Sequence, residues 1–311
     1  MWNQPFSWLK TCTNIDWHGV NLLVPNLVIG DFFRYSILSG VHLTENREGL
    51  QKLLETIYLD RGLDFREYRE STLTRRIGRR LRATGSESYE EYAGLLTRKP
   101  HEYEKLFDDL TINVTRFFRD KPAFTALEAV VFPELIQGTG KENDLRIWSA
   151  GCSTGEEAYS VAILLLEFLR VEAMGRRIRI LGSDIDPKAL DRARDGFFPN
   201  DHGERLQTEW RKRYFFEEDG GIRVKPDLKK FVDFEAHNVL EAPPWADQDL
   251  VLCRNLLIYF TPALQLRALK NLHKGLRKGG FLFLGKAEIP VREAGKLFHC
   301  VDRKAKLYRK A

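Results

Sequence analysis

Cysteine is scarce in this chain. Its 311 residues contain Cys12, Cys152, Cys253 and Cys300, and no two of them have C-x-x-C spacing. That argues against a zinc site and a disulfide framework, and reads as reduced thiols in a cytoplasmic protein. Long apolar runs are missing too: the longest, Val161 to Leu166, is far too short to span a bilayer. No basic, apolar and small-residue series resembles a signal peptide. The seven histidines form no H-x-x-x-H pair, no Ser-His-Asp set stands out, and no metal is expected. Charge of one sign is not in large excess. The formal net charge of +5 permits an acidic partner without demanding nucleic acid. With 43% apolar and 30% charged residues, an ordinary soluble protein of one large or two modest domains is expected.

What is present centres on Leu145 to Leu166, LRIWSAGCSTGEEAYSVAILLL. Leu145 to Ala150 reads as a short buried strand. Gly151 to Gly155 is a small-residue turn. Ala158, Val161, Ala162, Leu165 and Leu166 then recur at helical spacing. In a doubly wound sheet such a junction is where a nucleotide-like ligand docks, and glycine lets the backbone approach it. The G-x-G-x-x-G fingerprint of a pyrophosphate site is absent. The helix opens instead with Glu156 and Glu157, which would repel a pyrophosphate and suit a cation carrying ammonium and sulfonium groups. S-adenosylmethionine is such a ligand. One βαβ unit later, the strand from Ile178 ends at Ser183-Asp184-Ile185-Asp186-Pro187. Asp184 stands where an acidic residue binds ribose hydroxyls. Asp186, before a proline, reads as a helix N-cap.

Residues 1–44 form an irregular stretch with three tryptophans and no sustained period; either they extend the fold or they do not belong to it. From 45 to 120 the pattern is helical. Leu50, Leu53, Leu54 and Ile57 open it, followed by helices over 72–82, 89–96 and 102–110. The second helix carries Arg75, Arg76, Arg79, Arg80 and Arg82, which read either as a solvated face or as a docking surface for an acidic partner. A second domain is expected over 121–311, and from Leu145 onward strands and helices alternate, with strands expected at 145–150, 178–183, 231–236, 249–253 and 280–285. This α/β pattern predicts a parallel sheet covered on both faces. Pro262 to Leu276 reads as an amphipathic helix, and 297–309 as one or two closing strands. Between about 210 and 232 the alternation fails, and Tyr214 to Val224 reads as a hairpin around Gly220 and Gly221.

Four segments together carry a family resemblance. Thr111 to Asp120 (TINVTRFFRD) resembles the N-x-T-x-F-F-R signature of the CheR family of chemotaxis protein-glutamate O-methyltransferases. Gly151 to Ser160 (GCSTGEEAYS) resembles its glycine loop, with Ala158 where proline is usual. Ser183 to Asp186 (SDID) and Cys253 to Phe260 (CRNLLIYF) complete the set, in order, from about residue 48 to the C-terminus. The resemblance implies a class I, Rossmann-like S-adenosyl-L-methionine methyltransferase domain with a small inserted β-subdomain, preceded by a small all-α domain. It implies cofactor contacts at Asn113, Thr115, Arg119, Gly151, the Glu156/Glu157 pair, Asp184, Asn238, Val239, Asn255 and Leu256, with S-adenosyl-L-homocysteine as product. Alone, Asn238 and Asn255 read more readily as turn or cap residues, and it is the resemblance that assigns them to the cofactor.

The reaction so implied is methyl transfer to a glutamate carboxylate. An ordinary glutamate, with a pKa of about 4.3, is already ionised at neutral pH and needs no general base. Arg119 is the expected fixed charge at the carboxylate, or else a domain-bridging ion pair. Tyr259 is the expected hydrogen bond that aims it, or else core packing. The family often has Gly-His-Ser-Glu where this chain has Gly285-Lys286-Ala287-Glu288, and the turn around Glu217 to Gly221 is short. In family members that bind a receptor's peptide tether this loop is longer. The expected partner is thus the cytoplasmic coiled coil of a methyl-accepting chemotaxis receptor, engaged without a tether by a cytoplasmic monomer, with neither nucleic acid nor membrane insertion. A nucleic-acid methyltransferase and a non-catalytic module that binds the donor or its product are the rival readings.

Overall fold

A computed structural model describes residues 39–62, 64–111, 113–138, 144–170 and 176–311. The stretch 1–44 lies outside these except for the start of the helix Ser39–Arg61, and Cys12 lies outside them too. The chain divides into Met1–Glu48 and a compact unit, Gly49–Ala311; the features below belong to the second.

The apolar spacing of the N-terminal part folds as read. After Ser39–Arg61 come helices Glu70–Thr84, Tyr89–Arg98 and Pro100–Leu110. Ser88 caps the third by accepting the Glu91 N–H at 3.1 Å, and Gly85 ends the second at φ 73°. Leu50, Leu53, Ile57, Ile77, Tyr92 and Leu106 meet in one buried cluster separate from the sheet's. The arginines of the second helix divide into two groups. Arg80 pairs with buried Glu102 and Arg79 with Asp109, both at 2.7 Å. Arg75 and Arg82 are exposed, with no ion-pair partner among the described residues.

Ten strands follow. They are β1 Leu145–Ala150, β2 Ile178–Asp184, β3 Phe197–Pro199, β4 Phe215–Glu218, β5 Gly221–Val224, β6 Val232–Ala236, β7 Gln248–Cys253, β8 Leu276–Leu284, β9 Phe298–Asp302 and β10 Leu307–Lys310. The main sheet has the order β6-β2-β1-β7-β8-β10-β9. Its first five strands run parallel, and β10 is antiparallel to both neighbours. Strand β7 is buried along its whole length and β1 everywhere but Arg146, as a sheet covered on both faces requires. Side chains alternate between two cores, Leu145 and Ile147 in one, Trp148 and Ala150 in the other. The strand order reverses between β1 and β7, and at such a point the carboxyl edge of the sheet opens into a crevice.

The structure refines several boundaries. Strand β8 starts at Leu276, directly after the helix Pro262–Gly275, with a register irregularity opposite Gln248 to Leu250. The expected hairpin begins one residue later than read, because Thr208–Tyr214 is helical. It pairs with a third strand, β3, in the order β3-β5-β4. Three residues of β3 are too few to show a period. Helices Lys121–Ala126 and Phe132–Gly138, joined by a π-helical turn at Leu127–Val131, lead into the sheet where no element was read.

Candidate active site

The cleft over the carboxyl ends of β1 and β7 is built from both halves of the unit. Thr261 N–H donates to the Glu67 carbonyl at 3.2 Å and Arg69 N–H to the Tyr259 carbonyl at 2.9 Å. The Tyr68 ring meets Phe260 edge-on at 5.0 Å. These bonds roof the sheet edge with the helical part, so Phe65, Tyr68, Thr72 and Arg76 line the cleft opposite Gly151, Ser153, Asp184 and Asn255. The cleft holds about 950 Å³ of free space, mouth included.

Its floor is the β1 turn. Gly151 sits at φ 73°, and a Cβ there would lie 2.7 Å from Leu256 Cδ2. Gly155, at φ 96°, would press a Cβ to 2.8 Å from Ala193 and 2.9 Å from Phe234. Only glycine satisfies both the dihedral and the space. Of the seven described non-glycine residues at φ > 0, Ser153 and Asn255 line the cleft, and Phe118 and Asp120 flank Arg119, which also lines it. Backbone of this kind costs on the order of 1–3 kcal/mol per residue and clusters at functional sites.

The two leading glutamates part company. Successive helical residues point about 100° apart. Glu157 faces the cleft. Its Oε1 accepts the Ser149 hydroxyl at 2.8 Å, and its Oε2 lies 3.4 Å from Arg254 Nη1. Burial holds its carboxyl above the usual range, against the pull of Arg254. Glu156 turns away from the cleft lining. It is fully buried, accepts the Thr154 hydroxyl at 2.6 Å and meets His202 Nδ1 at 2.5 Å. The expectation of two carboxylates facing one cation thus reduces to one.

The two acidic residues at the end of β2 are placed differently. Asp186 accepts the Lys188 N–H at 2.9 Å and the Ala189 N–H at 3.3 Å, as an N-cap does. Asp184 lines the cleft, with Oδ2 accepting the Ser153 N–H at 2.8 Å and Oδ1 the Asp186 N–H at 3.0 Å. Burial outweighs those bonds and holds its carboxyl above the usual range. Asn113 ties these parts together. Its Nδ2 donates to Asp186 Oδ2 at 2.6 Å, and its Oδ1 accepts the Ser153 hydroxyl at 2.9 Å.

Thr115, Arg119, Leu256 and Tyr259 also line the cleft. Arg119 donates to the Val114 carbonyl at 2.9 Å and makes no ion pair among the described residues. Burial raises the Tyr259 hydroxyl above its ordinary pKa, opposed by the cations Arg76 and Arg119. Arg76 is half-buried, with its own pKa lowered by burial. Asn238 and Val239 are not brought into the lining. Asn238 Oδ1 accepts the Leu240 N–H at 3.0 Å, and Val239 is packed in the core. They lie further along the same sheet edge, next to His237, whose N–H donates to the Asp184 carbonyl at 3.0 Å.

Sequence reading missed Phe65, Tyr68, Arg76 and Arg254. Arg254 had a signal, since it sits inside CRNLLIYF, but its motif drew attention to Asn255. The others come from the helical part, where nothing in the pattern marks a residue as facing the sheet. The altered loop is also explained. Lys286 and Ala287 are exposed, whereas Glu288 is buried and its Oε2 accepts the N–H groups of Asn255 at 2.9 Å and Gly285 at 2.7 Å. The departures from the pattern face solvent, and the glutamate holds the Asn255 turn. Among the described residues no cluster of His, Cys, Asp and Glu has metal-ligand geometry, and no helix is long and apolar enough to cross a membrane.

Comparison with known proteins gives a match over nearly all of this unit. Residues 48–111 match the family model described as CheR methyltransferase, all-alpha domain, and residues 113–306 the model described as CheR methyltransferase, SAM binding domain. An uncharacterized 104.1 kDa protein of Rhodobacter capsulatus is 36% identical over 248 residues, which are 80% of this chain and 26% of that protein. The chain thus spans about a quarter of that relative's length. Chemotaxis protein methyltransferase 2 of Pseudomonas aeruginosa is 36% identical over 249 residues, covering 78% of this chain and 86% of that one. The chemotaxis protein methyltransferase of Escherichia coli is 32% identical over 247 residues, covering 76% and 83%.

Proposed function

The chain belongs to the CheR methyltransferase family, and on that premise we propose that it transfers a methyl group from S-adenosyl-L-methionine to glutamate carboxylates of methyl-accepting chemotaxis receptors. The observation that carries this reading is the division of charge within one cleft. Asp184 and Glu157 bring carboxylates to it, and Arg76 and Arg119, both within electrostatic reach of the Tyr259 hydroxyl, bring cations.

The residues present fit the donor. Both oxygens of Asp184 are aimed by backbone N–H groups yet keep lone pairs for ribose hydroxyls. Gly151 leaves open a space that a Cβ would fill. Glu157 offers the donor a carboxylate in a buried setting, where charge is poorly screened. We assign donor contacts to Asn113, Thr115, Arg119, Gly151, Glu157, Asp184, Asn255 and Leu256, with Asn238 and Val239 at the far end of the same edge. The donor brings an electrophilic methyl group. The protein's own part is orientation and exclusion of water, since the glutamate acceptor is already ionised. Orientation can contribute roughly 7–11 kcal/mol. Arg119, in its catalytic role, gives the acceptor carboxylate a fixed counter-charge in place of water, and the Tyr259 hydroxyl donates a hydrogen bond that aims it.

Exposed Arg75 and Arg82, on the helix that delivers Arg76 to the cleft, suit the acidic face of a receptor coiled coil. The β4–β5 turn is two residues, Asp219 and Gly220, which supports engagement without a peptide tether. The reading includes a cytoplasmic monomer. Incubation with methyl-labelled donor and acidic coiled-coil receptor fragments tests it. Label on the fragment that mild alkali releases as methanol is expected. Stable label, or label on nucleic acid instead, would count against it.

A further inference from the structure

We propose that His202 is a positioning residue for the methyl-donor site and acts on it through Glu156. The proposal rests on the reading of the cleft as that site.

His202 lies on the short turn Asn200–Gly203, which follows β3 in the inserted subdomain. Glu156 opens the helix after the glycine turn, and none of it is exposed. A wholly buried carboxylate is costly unless charge and hydrogen bonds compensate it. Among the described residues its side chain has two partners, the Thr154 hydroxyl at 2.6 Å and His202 Nδ1 at 2.5 Å. His202 alone of these can bring a positive charge.

What the pair holds is the floor and wall of the cleft. Thr154 belongs to the glycine turn, next to Ser153, whose N–H aims Asp184. The Glu156 carbonyl accepts the Ser160 hydroxyl at 2.6 Å, and that oxygen accepts the Phe118 N–H at 2.9 Å. Phe118 is at φ 51° and directly precedes Arg119. A connected set of short bonds therefore runs from His202 to the turn under the donor and to the backbone that presents Arg119. The Phe117 ring packs on Phe198 of β3 and Phe215 of β4, at 4.9 and 5.3 Å, so the inserted subdomain and this segment share packing.

The charged groups facing His202 are Glu156, Asp201 on its own turn, and Arg116, which lies 3.9 Å from Asp201. Glu156 and Asp201 favour the imidazolium and Arg116 opposes it, and the balance holds His202 above its ordinary pKa of 6.5. A group raised in the folded state gives its full stabilisation at low pH and loses it as pH rises through the raised value. Donor-site affinity then follows the same sign.

Calorimetric titration of the full chain with S-adenosylhomocysteine, at about pH 6 and about pH 8.5, tests this. The parent protein is expected to weaken by roughly tenfold toward the higher pH. His202→Gln should bind weakly at both, and His202→Lys, with a charge that does not titrate there, tightly at both. Titration of the ligand's own amino group is common to all three proteins. A His202→Gln profile parallel to the parent's would overturn the proposal, because a merely structural histidine weakens binding equally at both pH values. Absence of binding by the parent protein at either pH would instead overturn the donor-site reading beneath it. Should the variants not fold, the imidazole resonance of His202 in the parent is titrated with and without the ligand. Linkage requires its pKa to rise on binding, and an unmoved pKa overturns the proposal.

Discussion

The guanidinium of Arg254 reaches across the floor of the cleft to within 3.4 Å of the Glu157 carboxylate. Only 1% of its side chain is exposed. The same group donates to the Arg119 carbonyl at 3.0 Å and to Asp120 at 3.1 Å, and it stands over the rings of Phe124 and Phe283. One buried cation therefore fixes both the Glu157 carboxylate in the cleft and the backbone that carries Arg119.

Its removal should be costly. Arg254→Met leaves Glu157 and Asp120 without their counter-charge, and breaking a buried pair in this way costs about 3–5 kcal/mol. Denaturant midpoints measure it. The double variant Arg254→Met/Glu157→Gln should regain part of the loss, because the stranded charge goes with its partner. A single-variant loss below about 1 kcal/mol would show that water reaches the group.

Much of this arrangement could be read from the chain. Buried strands followed by helical spacing marked the sheet, and the glycine turn and Asp184 marked its ligand edge. What could not be read depends on direction in space. Glu156 and Glu157 are neighbours in sequence, and only the helix phase sends one to the cleft and the other to His202. Arg76 looked like any member of an arginine run until the bonds between Glu67 to Arg69 and Tyr259 to Thr261 brought its helix over the sheet. Strand β3 escaped because three residues carry no period.

Arg119→Ala should lose methyl transfer and keep its fold. Among the described residues the side chain makes one hydrogen bond, to the Val114 carbonyl, so stability should change by no more than about 1 kcal/mol. Loss of a fixed charge at the acceptor should cost roughly 10²–10³ in kcat. Initial rates of alkali-labile label on a receptor fragment give the answer. Near-parental turnover would remove Arg119 from the catalytic role.

Acid should weaken donor binding before it weakens the fold. Burial raises the carboxyl pKa of both Asp184 and Glu157. The folded protein therefore holds their protons more tightly than the unfolded chain does, and protonation at these two positions does not destabilise it. Protonation does remove the charge offered to the donor and turns one acceptor oxygen into an O–H. Affinity for S-adenosylhomocysteine should fall as pH drops through their raised values, while these groups contribute no loss of Tm. Glu157→Gln should bind more weakly at neutral pH and show a shallower acid limb. An acid limb unchanged in that variant would assign it to Asp184 alone.

Arg75 and Arg82, which have no ion-pair partner among the described residues, should govern the partner and not the donor. Arg75 and Arg82 are exposed on the helix Glu70–Thr84, whereas Arg79 and Arg80 are engaged by Asp109 and Glu102. Reversal to Arg75→Glu/Arg82→Glu leaves the helix's own ion pairs intact, so the fold and the S-adenosylhomocysteine Kd should be unchanged. Surface charges at an interface act through long-range attraction, which salt screens. KM for an acidic receptor fragment should rise roughly tenfold at low ionic strength, and the gap between parent and variant should close at high salt. A KM that stays the same at every salt concentration would place the receptor on another face of the protein.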